Sequence, residues 1–178
     1  MTELNYLVDV RALLEDLGAR VDLDATVTVP VIEVGSETFT PTRPVRLVGA
    51  VTNTGAGIVA SGTLDAEFAA VCSRCLRVFP LSVVAPLEAF FVAEGHDADL
   101  PEEQEIGYIR EGSVDLMEQI LAALVLELPF APLHAEDCPG ICPRCGADLA
   151  DGPCGCEPDR SDSPFAALQQ LISDDGEA

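Results

Sequence analysis

Residues 58–71 read Ile58-Val-Ala-Ser-Gly-Thr-Leu-Asp-Ala-Glu-Phe-Ala-Ala-Val71. Ile58, Ala60, Gly62, Leu64, Ala66 and Phe68 share one side of a two-residue repeat, and Val59, Ser61, Thr63, Asp65 and Glu67 share the other. A period of two with a single apolar face predicts an antiparallel strand, half buried and half solvated. On its N-terminal side lie the β-rich run Val45–Thr52 and a turn at Gly55-Ala56-Gly57. On its C-terminal side the chain turns at Cys72–Cys75 and returns as a second strand, Val78–Val92, with a break expected near Pro86.

Further toward the N-terminus, Ala25–Val34 is β-type, beginning Thr26-Val27-Thr28-Val29. Before it, Val8–Leu17 places Leu13, Leu14 and Leu17 at helical spacing with Gly18 as a stop. That segment is short enough to be a strand running into one or two helical turns. Residues 93–107 hold six acids in fifteen positions, including Glu94 and Asp97, and read as a solvated loop that also carries His96. Tyr108–Arg110 reads as one more short strand. Ser113 is expected to cap a helix over Val114–Leu128, with Asp115 in its first turn. Leu116, Ile120, Leu124 and Leu128, joined by Met117 and Leu121, form its apolar stripe, and Pro129 ends it. Ser163–Ile172 reads as a short capped helix with Pro164 in its first turn.

These elements predict an α+β fold: an antiparallel sheet that could curl toward a barrel, one main packed helix, and a C-terminal zinc-knuckle segment. The chain divides into a β-rich core over 1–133, a Cys-rich segment over 134–160, and a short helix with an acidic tail over 161–178. Apolar residues make up 48% of the 178, yet aromatics only 5% and Trp is absent, so the core is built from Val, Leu, Ala and Ile.

The formal charge is -22, from 31 acidic residues against nine basic ones, all of them Arg. It is uneven: residues 1–93 carry 11 acids and six Arg, whereas 94–178 carry 20 acids and three Arg. Broad nucleic-acid binding needs cationic side chains to replace phosphate counterions, and this field repels RNA, DNA and anionic lipid. A basic protein is the natural electrostatic partner. The start Met1-Thr2-Glu3-Leu4-Asn5-Tyr6 lacks a basic export region, and the run Ile120–Leu128 is far too short to span a bilayer. The expected compartment is therefore the cytoplasm, where clustered thiols stay reduced.

Seven cysteines fall in two groups: Cys72-Ser-Arg-Cys75, and Cys138-Pro-Gly-Ile-Cys142-Pro-Arg-Cys145-Gly, followed by Cys154-Gly-Cys156 with eight residues between Cys145 and Cys154. Two thiolates two residues apart can reach one metal, and Gly146 lets the backbone curl beneath the sulfurs. Cys142, Cys145, Cys154 and Cys156 make one tetrahedral thiolate set. Cys72, Cys75 and Cys138 remain, and His134 could complete a second, with Cys138 also able to exchange into the first. The chain would thus hold one or two structural zinc ions. The odd cysteine count argues against a disulfide framework. An all-thiolate set leaves no open position, so catalysis is not expected and no catalytic residue is assigned. Arg74, Arg77 and Arg144 flank the knuckles, either to offset thiolate charge or to contact a small phosphate or carboxylate.

These residues resemble the YceD family of large ribosomal RNA subunit accumulation proteins. The likeness rests on Ser61-Gly62-Thr63 leading to Cys72-x-x-Cys75, on Glu127-Leu128-Pro129, on Pro132-Leu133-His134 and Cys138, on Cys142-Pro-Arg-Cys145-Gly-Ala-Asp148-Leu149, and on Pro164-Phe165-Ala166-Ala167-Leu168. The resemblance implies a bacterial protein that acts in synthesis, processing or stability of 23S ribosomal RNA. It also implies that the Cys72 pair belongs to the family's older core. With a charge of -22, action through a basic ribosomal protein or processing factor is expected rather than a direct grip on RNA. Two rivals are a thiol redox protein, whose cysteine pair would cycle at a measurable potential, and a zinc-bearing transcription accessory protein, which would co-purify with polymerase.

Overall fold

The computed structural model describes residues 4–95 and 106–156. Among them, nine strands and two α-helices run in the order β1 (Leu7–Asp9), α1 (Arg11–Leu14), β2 (Arg20–Val27), β3 (Ile32–Val34), β4 (Glu37–Pro41), β5 (Val45–Asn53), β6 (Ile58–Val71), β7 (Val78–Ala93), β8 (Gly107–Ile109), β9 (Ser113–Asp115) and α2 (Met117–Glu127). The acidic segment around His96 and the expected helix Ser163–Ile172 lie outside the described residues.

The long strand β6 organises the molecule. Along one edge it pairs with β7 over its whole length, from Ile58↔Phe91 to Val71↔Val78. Along the other it pairs first with β5 and then, at Ala69 and Phe68, with β4, which carries β3 beyond it. The alternation read from the sequence is the alternation in space: Ile58, Ala60, Leu64, Ala66 and Phe68 are buried, while Ser61, Thr63 and Asp65 face solvent. Leu47 and Val51 of β5 and Val83, Ala85, Leu87 and Phe91 of β7 extend the same buried layer. Leu116, Ile120, Leu124 and Leu128 close over it, all at 4% exposure or less, so the stripe of α2 is the second layer of the core. Gly49 and Gly62 face each other where β5 crosses β6 closely; a Cβ on Gly62 would sit 2.6 Å from the Val48 carbonyl oxygen.

Three expectations are corrected. The sheet does not close into a barrel: among the described residues β2 pairs only with β5, and β7 meets β8 only at Phe91–Ala93. Pro86 does not break β7, which runs unbroken through Pro80 and Pro86. The two prolines are six residues apart and so share one edge phase, and no described strand pairs with that outer edge over their length to need the missing N–H. Finally, Ser113 does not cap α2. Ser113–Asp115 instead forms β9, paired with β1, and Asp115 performs the terminal role: its Oδ1 accepts from the amides of Met117 (3.0 Å) and Tyr6 (2.9 Å). Val8–Leu17 resolves into strand β1 and the single turn α1, with Leu13 buried. No described helix is long and apolar enough to cross a membrane.

Candidate metal centres

The β6–β7 hairpin turns on Cys72-Ser73-Arg74-Cys75-Leu76-Arg77. The Cys72 amide donates to the Arg77 carbonyl (2.9 Å), and the Leu76 amide donates back to Cys72 (2.8 Å). Cys142-Pro143-Arg144-Cys145-Gly146-Ala147 repeats the pattern, with Cys142 donating to Ala147 (2.8 Å) and Gly146 to Cys142 (2.8 Å). The residue after the second cysteine is left-handed in each: Leu76 at φ 61° and Gly146 at φ 73°. The turn aims amides at the first sulfur. The N–H groups of Cys145 and Arg144, helped by the Cys154 thiol, lower Cys142 to about 6. Burial pushes the Cys72 thiol up, but the His134 side chain and the amides of Cys75, His134 and Arg74 outweigh it and bring the group to about 5. Thiolate is the form that binds metal, so both knuckles are set to supply it.

The folded chain brings the eight candidate side chains into two groups of four, Cys72–Cys75–His134–Cys138 and Cys142–Cys145–Cys154–Cys156, with the donor atoms of each within 4.8 Å of one another. All seven cysteines are unpaired. A tetrahedral ion with Zn–S near 2.3 Å and Zn–N near 2.0–2.1 Å places its sulfurs ~3.8 Å apart and nitrogen ~3.6 Å from sulfur. Cys72 and Cys138 stand 3.8 Å apart, and Nδ1 of His134 is 3.4 Å from the Cys75 sulfur. The electrostatics point the same way. Burial, then the sulfurs of Cys75 and Cys72, push Cys138 up, and Cys145 followed by Cys154 pushes Cys156 up to about 12. Sulfurs so close do not all ionise unless a cation lies among them. Both clusters could hold a metal ion, and their donor chemistry is compatible with zinc.

The two groups differ in setting. Cys72, Cys75 and Cys138 are buried under Phe79, Leu133 and Ile141, and the Phe79 ring stands edge-on to His134 at 6.4 Å. In the second group only Cys142 is buried, while Cys145, Cys154 and Cys156 are exposed. The segment that carries His134 and Cys138 is tied back onto the hairpin. Ser73 donates to the Pro132 carbonyl (2.9 Å) and Ile141 to that of Arg74 (3.2 Å). The Arg74 guanidinium donates to the carbonyls of Glu136 (3.1 Å) and Cys138 (3.0 Å). Arg77 pairs with Asp148 at 2.7 Å, and Asp148 also caps the 3-10 turn Leu149–Asp151 by accepting from the Ala150 amide. Arg74 and Arg77 are thus engaged within the chain rather than presented to an external anion. Asp148 is a joint between the two groups, one that spacing arguments on cysteine pass over, although its position before a short turn is the local signal of a cap.

The family model described as Large ribosomal RNA subunit accumulation protein YceD matches residues 60–172, a span that contains both groups. An uncharacterized protein of Mycobacterium tuberculosis is 36% identical over 117 residues, covering 65% of this chain and 56% of the relative. An uncharacterized protein of Mycobacterium leprae is 32% identical over 133 residues, covering 74% of this chain and 61% of the relative. The chain therefore spans less than two thirds of the length of these relatives. No solved structure matches it significantly. With the family model covering more than half of its residues and both knuckle clusters, the chain belongs to the YceD family, large ribosomal RNA subunit accumulation proteins.

Proposed function

We propose that this chain is a non-catalytic zinc protein of the bacterial cytoplasm that acts in accumulation and processing of 23S ribosomal RNA, and so in large-subunit biogenesis, through a basic protein partner. The observation that carries the reading is the family match over residues 60–172. In this reading Cys72, Cys75, His134 and Cys138 hold one zinc and Cys142, Cys145, Cys154 and Cys156 a second. Four protein ligands close each site, leaving no coordination position for substrate, which supports a structural role. The electrostatics support action through a protein. At a net charge of -22 the chain has little to offer phosphates, and among the described residues Arg11, Arg20, Arg43, Arg46, Arg77 and Arg110 already pair with carboxylates.

The test is the ratio of 23S to 16S RNA in cells depleted of the protein, with rescue by the wild type and by a Cys72→Ser/Cys75→Ser variant. A selective fall in 23S that only the wild type restores supports the reading. An unchanged ratio removes it, and a reversible thiol potential in the purified protein with no bound zinc would favour the redox alternative.

A further inference from the structure

The two cysteine groups share a stretch of backbone. Cys138 belongs to the first and Cys142 to the second, so residues 138–142 run from one to the other. Between these ligands the chain bonds to both knuckles. The Ile141 amide donates to the Arg74 carbonyl of the first (3.2 Å), and the Gly140 carbonyl accepts from the Leu149 amide beyond the second (3.0 Å). Ile141 also pairs with Asp148 as an antiparallel bridge. Gly140 is left-handed at φ 79°, and a Cβ there would stand 3.1 Å from the Arg74 carbonyl oxygen. The connecting backbone therefore lies directly on the first turn, in a conformation that suits glycine.

A side-chain pair spans the same gap. Arg77 closes the first turn, its carbonyl accepting from the Cys72 amide, and its guanidinium holds Asp148 at 2.7 Å. Asp148 in turn accepts from the Ala150 amide at 2.9 Å and so fixes the turn that follows the second knuckle. Neither the Gly140–Leu149 bond nor the Arg77–Asp148 pair supplies a donor to either set. Both fix how one set lies against the other.

We propose that the two groups bind metal as one coupled unit, in which Gly140, Ile141 and the Arg77–Asp148 pair carry the effect of filling the first group to the second. The inference rests on the reading that both groups hold zinc, and it adds the mutual dependence of their filling. An ion in the first group ties His134 and Cys138 to the hairpin, which orders residues 138–142 and presents Cys142 in place. Each backbone residue fixed in advance is worth roughly tenfold in affinity to the site that needs it. Charge acts the other way: a dication among three thiolates leaves one negative charge and among four leaves two, and these repel. The exposed second group is screened by water and salt, and the Arg77 cation lies at the joint, so ordering outweighs repulsion. Arg77 and Asp148 are positioning residues in this unit, not ligands.

The test titrates the full-length apo-protein with cobalt(II), whose visible absorption separates a site of three sulfurs and one nitrogen from one of four sulfurs. Displacement by zinc then gives the affinity of each. Loss of the first group in Cys72→Ser/Cys75→Ser is expected to lower the affinity of the four-sulfur site about tenfold or more. By linkage, Cys142→Ser/Cys145→Ser lowers the affinity of the first group by the same factor. Asp148→Asn keeps every ligand and an acceptor for the Ala150 amide, but removes the charge that holds Arg77. Both cobalt spectra should keep their shape in this variant while the coupling factor falls about threefold or more. First-group affinity measured in Cys142→Ser/Cys145→Ser should not change when Asp148→Asn is added.

A four-sulfur affinity that is unchanged or raised in Cys72→Ser/Cys75→Ser would overturn the coupling, the first result meaning independent sites and the second that charge repulsion wins. Asp148→Asn leaves both knuckles intact, so an unchanged coupling factor there overturns the role of the pair even where the serine variant loosens its hairpin. A protein that takes up no cobalt removes the zinc reading together with the coupling. Independent sites remove the coupling alone, and the 23S to 16S ratio of depleted cells still tests the cellular role.

Discussion

A Cys-x-x-Cys turn works because one residue after it bends the wrong way. At Gly146 that bend costs nothing sterically, and at Leu76 it crowds the Cβ against its own backbone. In both, the result is a first sulfur ringed by amide donors. The carboxyl of Asp148 is another single group with two tasks. It is held below the usual carboxylate range by the Ala150 amide first, and then, against burial, by Arg77. A depressed folded pKa contributes stability above the unfolded value, near 4, and loses it as pH falls through the folded one. The stability gap between the wild type and Asp148→Asn should therefore hold from neutral pH down to about 4 and close below it. Denaturation followed across that range checks this, and a gap that widens on acidification would contradict it. Gly62 is a residue-scale constraint of another kind, since a methyl there meets the Val48 carbonyl oxygen at 2.6 Å. Gly62→Ala is expected to cost about 1–3 kcal/mol by forcing β5 and β6 apart, read as a shift in the urea midpoint.

At the scale of elements, α2 has two faces with opposite meanings. Leu124 is fully buried against the sheet, and Leu126, two positions on, is 84% exposed. Leu124→Ala should destabilise by about 2–5 kcal/mol through lost burial and the cavity left behind. Leu126→Ala should stay within about 0.5 kcal/mol, because so exposed a side chain has little packing to lose in the free protein. Equal losses for the two would mean that the helix sits in a different rotation. Strand β7 also shows how an element manages its exposure. Its outer edge is long, and Pro80 and Pro86 remove two donors from it, which blunts it as a template for pairing with other chains.

At the scale of the whole molecule, the sheet and helix carry their own core, while the segment from His134 onward has little regular structure and few apolar side chains among its described residues. If zinc fills both groups, its removal should free this segment. With a strong chelator, limited proteolysis is expected to cut within residues 134–156 and leave the sheet intact, whereas the metal-loaded protein resists. The exposed Cys145, Cys154 and Cys156 should surrender their metal before the group buried under Phe79 and Leu133. Release followed with a chromogenic zinc indicator should therefore be biphasic, and a single phase would mean that burial does not control access.

How much of this was legible before the chain folded depends on the range of the information. The period-two pattern of residues 58–71, the stripe Leu116–Leu128 and the Cys-x-x-Cys spacings are local, and each is enough to assign its element or its chemistry, because burial and ligand reach act on neighbouring residues. The grouping of Cys72 and Cys75 with His134 and Cys138 was readable only as arithmetic on eight donors; the hairpin and the Arg74 and Ser73 clamps make it a place. What local pattern could not supply were the pairings between distant segments. Ser113–Asp115 has the look of a helix start, yet it is a strand because Leu7–Asp9 lies beside it. Pro86 reads as a break, and it is harmless because no described strand takes the outer edge of β7 there. A barrel was open to a chain this rich in strands, and the sheet stays open because β2 and β7 do not pair. Local pattern was thus sufficient for the strand faces, the apolar helix and the cysteine spacing that could hold a metal. Register, edges and the joining of the two cysteine groups came only with the folded chain, since they depend on which remote backbone groups arrive within hydrogen-bonding reach.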